Sequence, residues 1–225
     1  DYTEQHSGEH ILSAAFWKLY SAKNVGFHMS ANLVTIDLDR EFTNEELSSA
    51  ESLANSWVRQ NCPVKIYYAS DSELDRLGLR KATDKVSGIL RIVDIEGVDA
   101  CTCCGTHVSS SGGVGLIKIL RSEHWKGGTR IEFLCGRWAF EHCQLEHNIL
   151  SAMANELTTR AENLPEMLKK LKSENHELDM RLRAGSAKLM EYTAGELLSA
   201  SPVKSGTTVC CAATDCSPPE AKLLL

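Results

Sequence analysis

Gly136 divides the chain into two regimes of hydrophobic periodicity, and that break constrains the fold more than any other feature. Before it, short alternating runs are interleaved with single amphipathic helices; after it, helical spacing continues to about Leu198. Period two buries one face of a sheet, whereas a period near 3.6 buries one stripe of a helix. The pattern predicts an α+β fold, a mostly antiparallel sheet packed with helices, followed by a long helical extension. Three segments result: a compact domain over 1–135, a helical extension over 136–198, and the start of a further domain over 199–225.

Within the first segment, Ile11, Leu12, Ala15, Phe16 and Leu19 recur at helical spacing, so about Thr3 to Ser21 reads as a helix with Thr3 as its N-cap. Leu33 to Asp39 alternates strictly, placing Val34, Ile36 and Leu38 on a buried strand face. Thr43-Asn-Glu-Glu46 is a capping box opening an amphipathic helix to about Asn61, which Pro63 terminates. Strands are expected at Val64–Tyr68 and Ile89–Asp94, with a short helical signal at Ser72–Leu77 between them. Val114–Trp125 and Thr129–Cys135 read as a hairpin turning through Gly127-Gly128.

The second segment breaks near Asn163-Leu164-Pro165, where proline suits the first turn of a new helix. Leu168, Leu171, Leu178 and Leu182 then occupy a/d-type positions with Asn175 at an a position. Two readings fit: a short coiled coil forming a homodimer, or an intramolecular helical hairpin. In the tail, Thr207–Ala213 looks like a strand and Ser217-Pro-Pro-Glu like a helix start.

Lys and Arg number 24 against 30 Asp and Glu, a net charge of −6 that argues against general polyanion coating. No apolar run approaches the ~20 residues of a membrane span, and no export signal opens the chain, so the expectation is a cytoplasmic protein without membrane contact. The nine cysteines are then expected to be reduced, and three of them fall together at Cys101, Cys103 and Cys104. The chain begins at Asp1 rather than methionine, so an upstream segment is expected.

Two residue pairs carry chemistry. His6-Ser-Gly-Glu-His10 sets two imidazoles at i and i+4, on one helical face, where they can grip one ion. Cys103-Cys-Gly-Thr-His107 offers a thiolate and an imidazole, with Gly105 letting the chain curl around an ion. Three imidazoles and one thiolate form a borderline-soft set suited to zinc. A zinc-protease helix carries its Glu directly after the first His; here Glu9 directly precedes the second, which sets that reading aside. Ser109–Gly115 is glycine-rich but lacks the lysine of a phosphate-binding loop, and reads as a flexible loop near the site.

The run His6-Ser-Gly-Glu-His10-Ile-Leu-Ser, followed by Val93-Asp-Ile-Glu-Gly-Val-Asp, Cys103-Cys-Gly-Thr-His107-Val and Gly115-Leu-Ile-Lys-Ile-Leu, resembles the AlaX-type alanyl-tRNA editing proteins. It is equally similar to the related editing domain inside alanyl-tRNA synthetases. The helix-rich stretch opening with Arg130-Ile-Glu-Phe-Leu-Cys-Gly-Arg137 looks like the segment downstream of that domain in the longer AlaX-type proteins, whose N-terminal and C-terminal parts this chain would lack. The resemblance covers about residues 1 to 198. It implies a zinc-dependent aminoacyl-tRNA deacylase, with one Zn2+ per chain held by His6, His10, Cys103 and His107. The substrate implied is the acceptor end of tRNA(Ala) mischarged with serine or glycine, hydrolysed in trans.

Around those ligands, Glu9 is a candidate general base or a partner to a histidine, and otherwise a solvated helix carboxylate. Ser30 and Thr106 are candidate binders of a seryl hydroxyl. Two basic groups, Arg76, Arg80, Lys81, Lys85 and Arg91, then Lys118, Arg121, Lys126 and Arg130, are candidates for tracking a tRNA acceptor end. Two other functions fit the same residues: a fragment of a full alanyl-tRNA synthetase, and a non-catalytic zinc-stabilised module that binds RNA or a partner helix.

Overall fold

The computed structural model describes residues 2–30, 33–70, 73, 79–80, 88–208 and 210. The helical signal at Ser72–Leu77 lies almost entirely outside the described residues, as does the Ser217-Pro-Pro-Glu motif. The chain divides into two compact units, 1–148 and 149–225. The α+β expectation holds: helices stand beside sheets whose neighbouring strands all run antiparallel.

The first unit opens with α1 (Tyr2–Tyr20), then β1 (Asn24–Met29), β2 (Val34–Leu38) and α2 (Asn44–Gln60). After these come β3 (Val64–Ser70), β4 (Ile89–Ile95) and β5 (Asp99–Thr102). A 3-10 turn over Ser111–Val114 leads to β6 (Ile117–Trp125) and β7 (Gly128–Cys135). Two sheets result, with strand orders β1-β2-β7-β6 and β3-β4-β5. The β6–β7 hairpin turns through Lys126 and Gly127, both at positive φ, matching the primed turn geometry such hairpins favour.

Val34, Ile36 and Leu38 of β2 are buried as expected and pair against Phe133, Ile131 and Thr129 of β7, but Thr35 between them is buried as well, so the strand is covered on more than the one face read from its alternation. Ile11, Leu12, Ala15 and Phe16 of α1 and Leu47, Ala50, Ala54 and Trp57 of α2 close over that sheet in one core. The capping box is complete, with Thr43 accepting from the Glu46 amide and Glu46 accepting from the Thr43 amide. The three-stranded sheet has an apolar cluster of its own around Ala69, Leu90 and Ile92.

Two sequence expectations are corrected and one strand is added. Thr3 lies inside α1 rather than capping it, and its hydroxyl hydrogen-bonds the Thr106 hydroxyl at 3.3 Å. Strand β1 is additional to those read from the sequence, and its Val25, Phe27 and Met29 alternate on an exposed face. The Ser109–Gly115 stretch is pinned rather than loose: the Ser111 hydroxyl donates to Trp57 O at 2.7 Å and accepts from the Cys62 amide at 2.7 Å. In the tail, β9 (Thr207–Thr208) pairs with β8 (Val203–Lys204), and the rest of the strand expected to Ala213, apart from Cys210, lies outside the described residues.

Helix α3 (Gly136–Glu156) begins directly on β7, and α4 (Leu164–Ala200) restarts after the break with Pro165 in its first turn, as proline's fixed φ favours. Leu168, Leu171, Leu178 and Leu182 all stand exposed along α4.

Candidate metal centre

Helix α1 buries polar residues along its first half, against the usual rule for a surface helix: Gln5, Ser7, Glu9, His10 and Ser13 are all buried. Each has a partner. The Gln5 side chain donates to the carbonyl and accepts from the amide of Cys135, both at 2.8 Å, so it pairs with the end of β7 as another strand would. Gly8 permits this approach, because a Cβ there would lie 2.1 Å from the Cys135 sulfur.

The seating of α1 carries His6 and His10 to the loop after β5. There His6, His10, Cys103 and His107 converge, each offering a ligand atom within 4.8 Å of the others. The Nε2 atoms of His6 and His107 both lie 3.4 Å from the Cys103 sulfur. Zinc held tetrahedrally, with zinc–sulfur near ~2.3 Å and zinc–nitrogen near ~2.0 Å, requires a sulfur–nitrogen separation of about 3.5 Å. The donor set and its spacing therefore fit such an ion.

Every imidazole is oriented through its other nitrogen. His6 Nδ1 faces the Thr106 carbonyl at 3.2 Å, and His107 Nδ1 faces the Ser7 hydroxyl at 3.2 Å. The same hydroxyl accepts from the Val108 amide, tying α1 to the loop. His10 Nδ1 lies 3.0 Å from the Cys101 sulfur and 3.4 Å from Asp99 Oδ2. Ligand histidines held in this way present one fixed nitrogen inward.

The loop itself is fastened by Arg91, whose Nη1 donates to the carbonyls of Cys103 and Gly105. Gly105 serves a different purpose from the curl expected of it. It does not adopt a positive φ, and a Cβ on it would sit 2.1 Å from His6 Cε1, so glycine is needed for space against that ring.

The electrostatics follow from this crowding. Partial burial raises the Cys103 thiol, but hydrogen bonds from His10, His107, His6 and the Gly105 amide overcome it and bring it to about 3. The group is therefore a thiolate at neutral pH, as metal ligation requires. Burial and the neighbouring His10 and His6 push His107 below the ordinary imidazole range, against its bond to Cys103. Burial also works to lower His10, yet hydrogen bonding to Asp99, Cys101 and Cys103 raises it well above that range.

The remaining candidates separate. Glu9 is buried rather than solvated, with Oε1 accepting from Ser13 and Asn24 and Oε2 lying 3.6 Å from His10 Nε2. Thr106 adjoins the cluster through its carbonyl, while its hydroxyl meets Thr3. The hydroxyl of Ser30 donates locally to Leu33 O and closes the β1–β2 turn. Phe27 of β1 stacks on His6 with centroids 5.8 Å apart.

Most of the described basic candidates are engaged within the chain. Arg80 is buried against Asp99, Arg130 pairs with Asp37 beneath Trp125, Lys118 holds Glu51, and Arg121 holds Glu123 and Glu132. Arg76, Lys81 and Lys85 lie outside the described residues. Sequence reasoning missed Asp99 and Arg80 as parts of the site; the only signal was an acidic residue four positions before Cys103.

Residues 90–132 match the model of the threonyl and alanyl tRNA synthetase second additional domain, a stretch containing Cys103 and His107. An alanyl-tRNA editing protein of Xenopus laevis is 34% identical over 175 residues, 76% of this chain and 42% of that protein. The chain is a relative of the AlaX-type alanyl-tRNA editing proteins. The AlaX-L editing protein of Pyrococcus horikoshii is 39% identical over 135 residues, 59% of this chain and 33% of that one. An alanine–tRNA ligase of a Thermotoga species is 27% identical over 186 residues, 80% of this chain but 22% of the ligase. The chain thus spans about two fifths of the length of the curated editing proteins it matches. Among the described residues, no helix is long and apolar enough to cross a membrane.

Proposed function

We propose that this chain is an aminoacyl-tRNA deacylase that hydrolyses, in trans, the ester joining serine or glycine to the acceptor end of mischarged tRNA(Ala). The observation that carries the reading is the convergence of three oriented imidazoles on one ionised thiolate, in a chain similar to editing proteins. His6, His10, Cys103 and His107 would hold one Zn2+. When bound, that ion supplies positive charge to polarise an ester carbonyl and to lower the pKa of water.

The protein's own groups do the rest. Thr106 O, Ser7 Oγ and Asp99 orient the imidazoles from behind, so the ligands do not reorganise as the substrate arrives. With Oε1 occupied by Ser13 and Asn24, Glu9 would use Oε2, which faces His10 Nε2 at 3.6 Å beside the cluster, to accept a proton from the attacking water. Thr106, on the ligand loop, is better placed than Ser30 to meet a substrate hydroxyl. The exposed leucines of α4 would pair with a second copy to give a homodimer.

A second reading rests on one observation. Four protein ligands complete a tetrahedral shell, the mark of a structural zinc site, which favours a zinc-stabilised module that binds RNA or a partner helix without turnover. The deciding assay is release of labelled serine from seryl-tRNA(Ala), beside correctly charged alanyl-tRNA(Ala), with and without a zinc chelator. Chelator-sensitive loss of serine with alanine spared supports the deacylase. No release by a zinc-loaded, folded sample overturns it in favour of the binding module.

A further inference from the structure

His10 is the only one of the three converging imidazoles whose outward nitrogen faces an ionised group. Its Nδ1 lies 3.4 Å from Asp99 Oδ2, whereas His6 and His107 meet a carbonyl and a hydroxyl. Asp99 is itself gripped: Arg80 Nε donates to Oδ1 at 2.7 Å and Arg80 Nη2 to Oδ2 at 2.8 Å. Both side chains are removed from water, at 1% exposure for the carboxylate and 10% for the guanidinium. The Arg80 amide also bonds the Ala100 carbonyl, which seats this segment along β5.

Buried ion pairs of this kind seldom add net stability over apolar packing, so the pair calls for a reason other than holding the fold. His10, Asp99 and Cys101 also place three ligand-type atoms within 4.8 Å, which raises the alternative of a second cation. The guanidinium argues against it. Both carboxylate oxygens already accept from Arg80, and a divalent ion there would face a fixed positive charge across the same carboxylate.

We propose that Arg80 and Asp99 are positioning residues for the metal centre: the Asp99 carboxylate, 3.4 Å from His10 Nδ1 and accompanied there by the Cys101 sulfur at 3.0 Å, favours the Nδ1–H tautomer and fixes the ring angle that leaves Nε2 for the cluster. Arg80 holds the carboxylate at that angle by donating to both of its oxygens. Cys101, buried with its sulfur 3.0 Å from the same Nδ1, is a neighbour of His10 and not a ligand. Outer partners of this sort typically tune metal affinity by about 10- to 100-fold. The inference rests on the reading of His6, His10, Cys103 and His107 as a zinc site.

The test uses the full chain, stripped of metal and titrated with zinc against a chromophoric chelator. Asp99→Asn should weaken zinc by about 10- to 100-fold, and the Nδ1–H signal of His10 in the zinc-loaded protein should move from its parent position in the nitrogen-edited spectrum. Because Asp99→Asn strands a buried guanidinium, the double variant Asp99→Asn/Arg80→Gln is measured beside it and should lose affinity to the same extent. Cys101→Ser should stay within about threefold of the parent. Wild-type affinity and an unchanged Nδ1–H signal in either folded Asp99 variant would overturn the positioning role. Absence of stoichiometric zinc uptake by the parent chain would instead overturn the zinc site itself, and the two failures are read from different samples.

Discussion

Gly105→Ala separates the metal centre from the fold. The backbone accepts alanine, because Gly105 is not among the positive-φ residues. The new methyl would stand 2.1 Å from His6 Cε1 and 2.5 Å from His6 Nδ1. Ordinary carbon–carbon contact is about 3.5–4.0 Å, so the ring must retreat by more than about 1 Å. Metal sites tolerate displacements of about 0.2 Å, so His6 leaves the cluster and takes with it the bond from its Nδ1 side to Thr106. We expect zinc affinity to fall by at least about 100-fold, beyond the range of outer-partner changes. Stability of the metal-free chain should move by less than about 1 kcal/mol, since no core residue is touched. Chelator competition reads the first quantity and denaturant unfolding the second. Zinc affinity equal to the parent's would refute this reasoning, because it would mean that His6 either tolerates the methyl or is not a ligand.

Other outcomes come from the same geometry. His10→Ala and His107→Ala should each lose bound zinc and seryl-tRNA(Ala) deacylation together; activity persisting without zinc uptake would remove the site from the chemistry. Burial alone would raise Asp99, but Arg80 and His10 hold it near 2, so the stability it adds is present above the unfolded value and is lost as pH falls from about 4 toward 2. That contribution is roughly 2 kcal/mol, and the acid unfolding curve of Asp99→Asn/Arg80→Gln should lack this part of its slope. Phe133→Ala, at a fully buried position beneath α1, should cost about 3–5 kcal/mol in denaturant unfolding. Leu171→Lys with Leu178→Lys should halve the sedimenting mass of any dimer while sparing hydrolysis, and an unchanged mass would count against pairing through α4.

Features that depend on neighbours along the chain were legible in the sequence. The Thr43–Glu46 capping box and the buried Val34, Ile36 and Leu38 appear where local rules place them, and the hairpin turn falls one residue before the Gly127-Gly128 read for it. The metal cluster was legible for a similar reason: i,i+4 spacing on α1 and a five-residue loop each present their two ligands without help from tertiary structure. What depends on partners distant in the chain was not. Arg80 reads as a surface cation until β5 lays Asp99 beside it, and the two readings of Glu9, solvated carboxylate or partner of the site, separate only when Asn24 and Ser13 close over it. Gly105 gives the same lesson in reverse, since the requirement comes from a ring 99 positions earlier rather than from its own torsions.

The ligands come in two pairs carried by different parts of the first unit. His6 and His10 ride on α1, which is locked to the four-stranded sheet by Gln5; Cys103 and His107 extend from β5 of the three-stranded sheet, which keeps a separate apolar cluster. Among the described residues, no strand is common to the two sheets. An ion bound by all four side chains would therefore add a rivet between two sheets that already meet in one core through Ile95 of β4 and Val64 of β3. Stripping it should quicken amide exchange across β3, β4 and β5 far more than across β2 and β7, so that metal status becomes readable as a change in local opening even in a sample offered no tRNA.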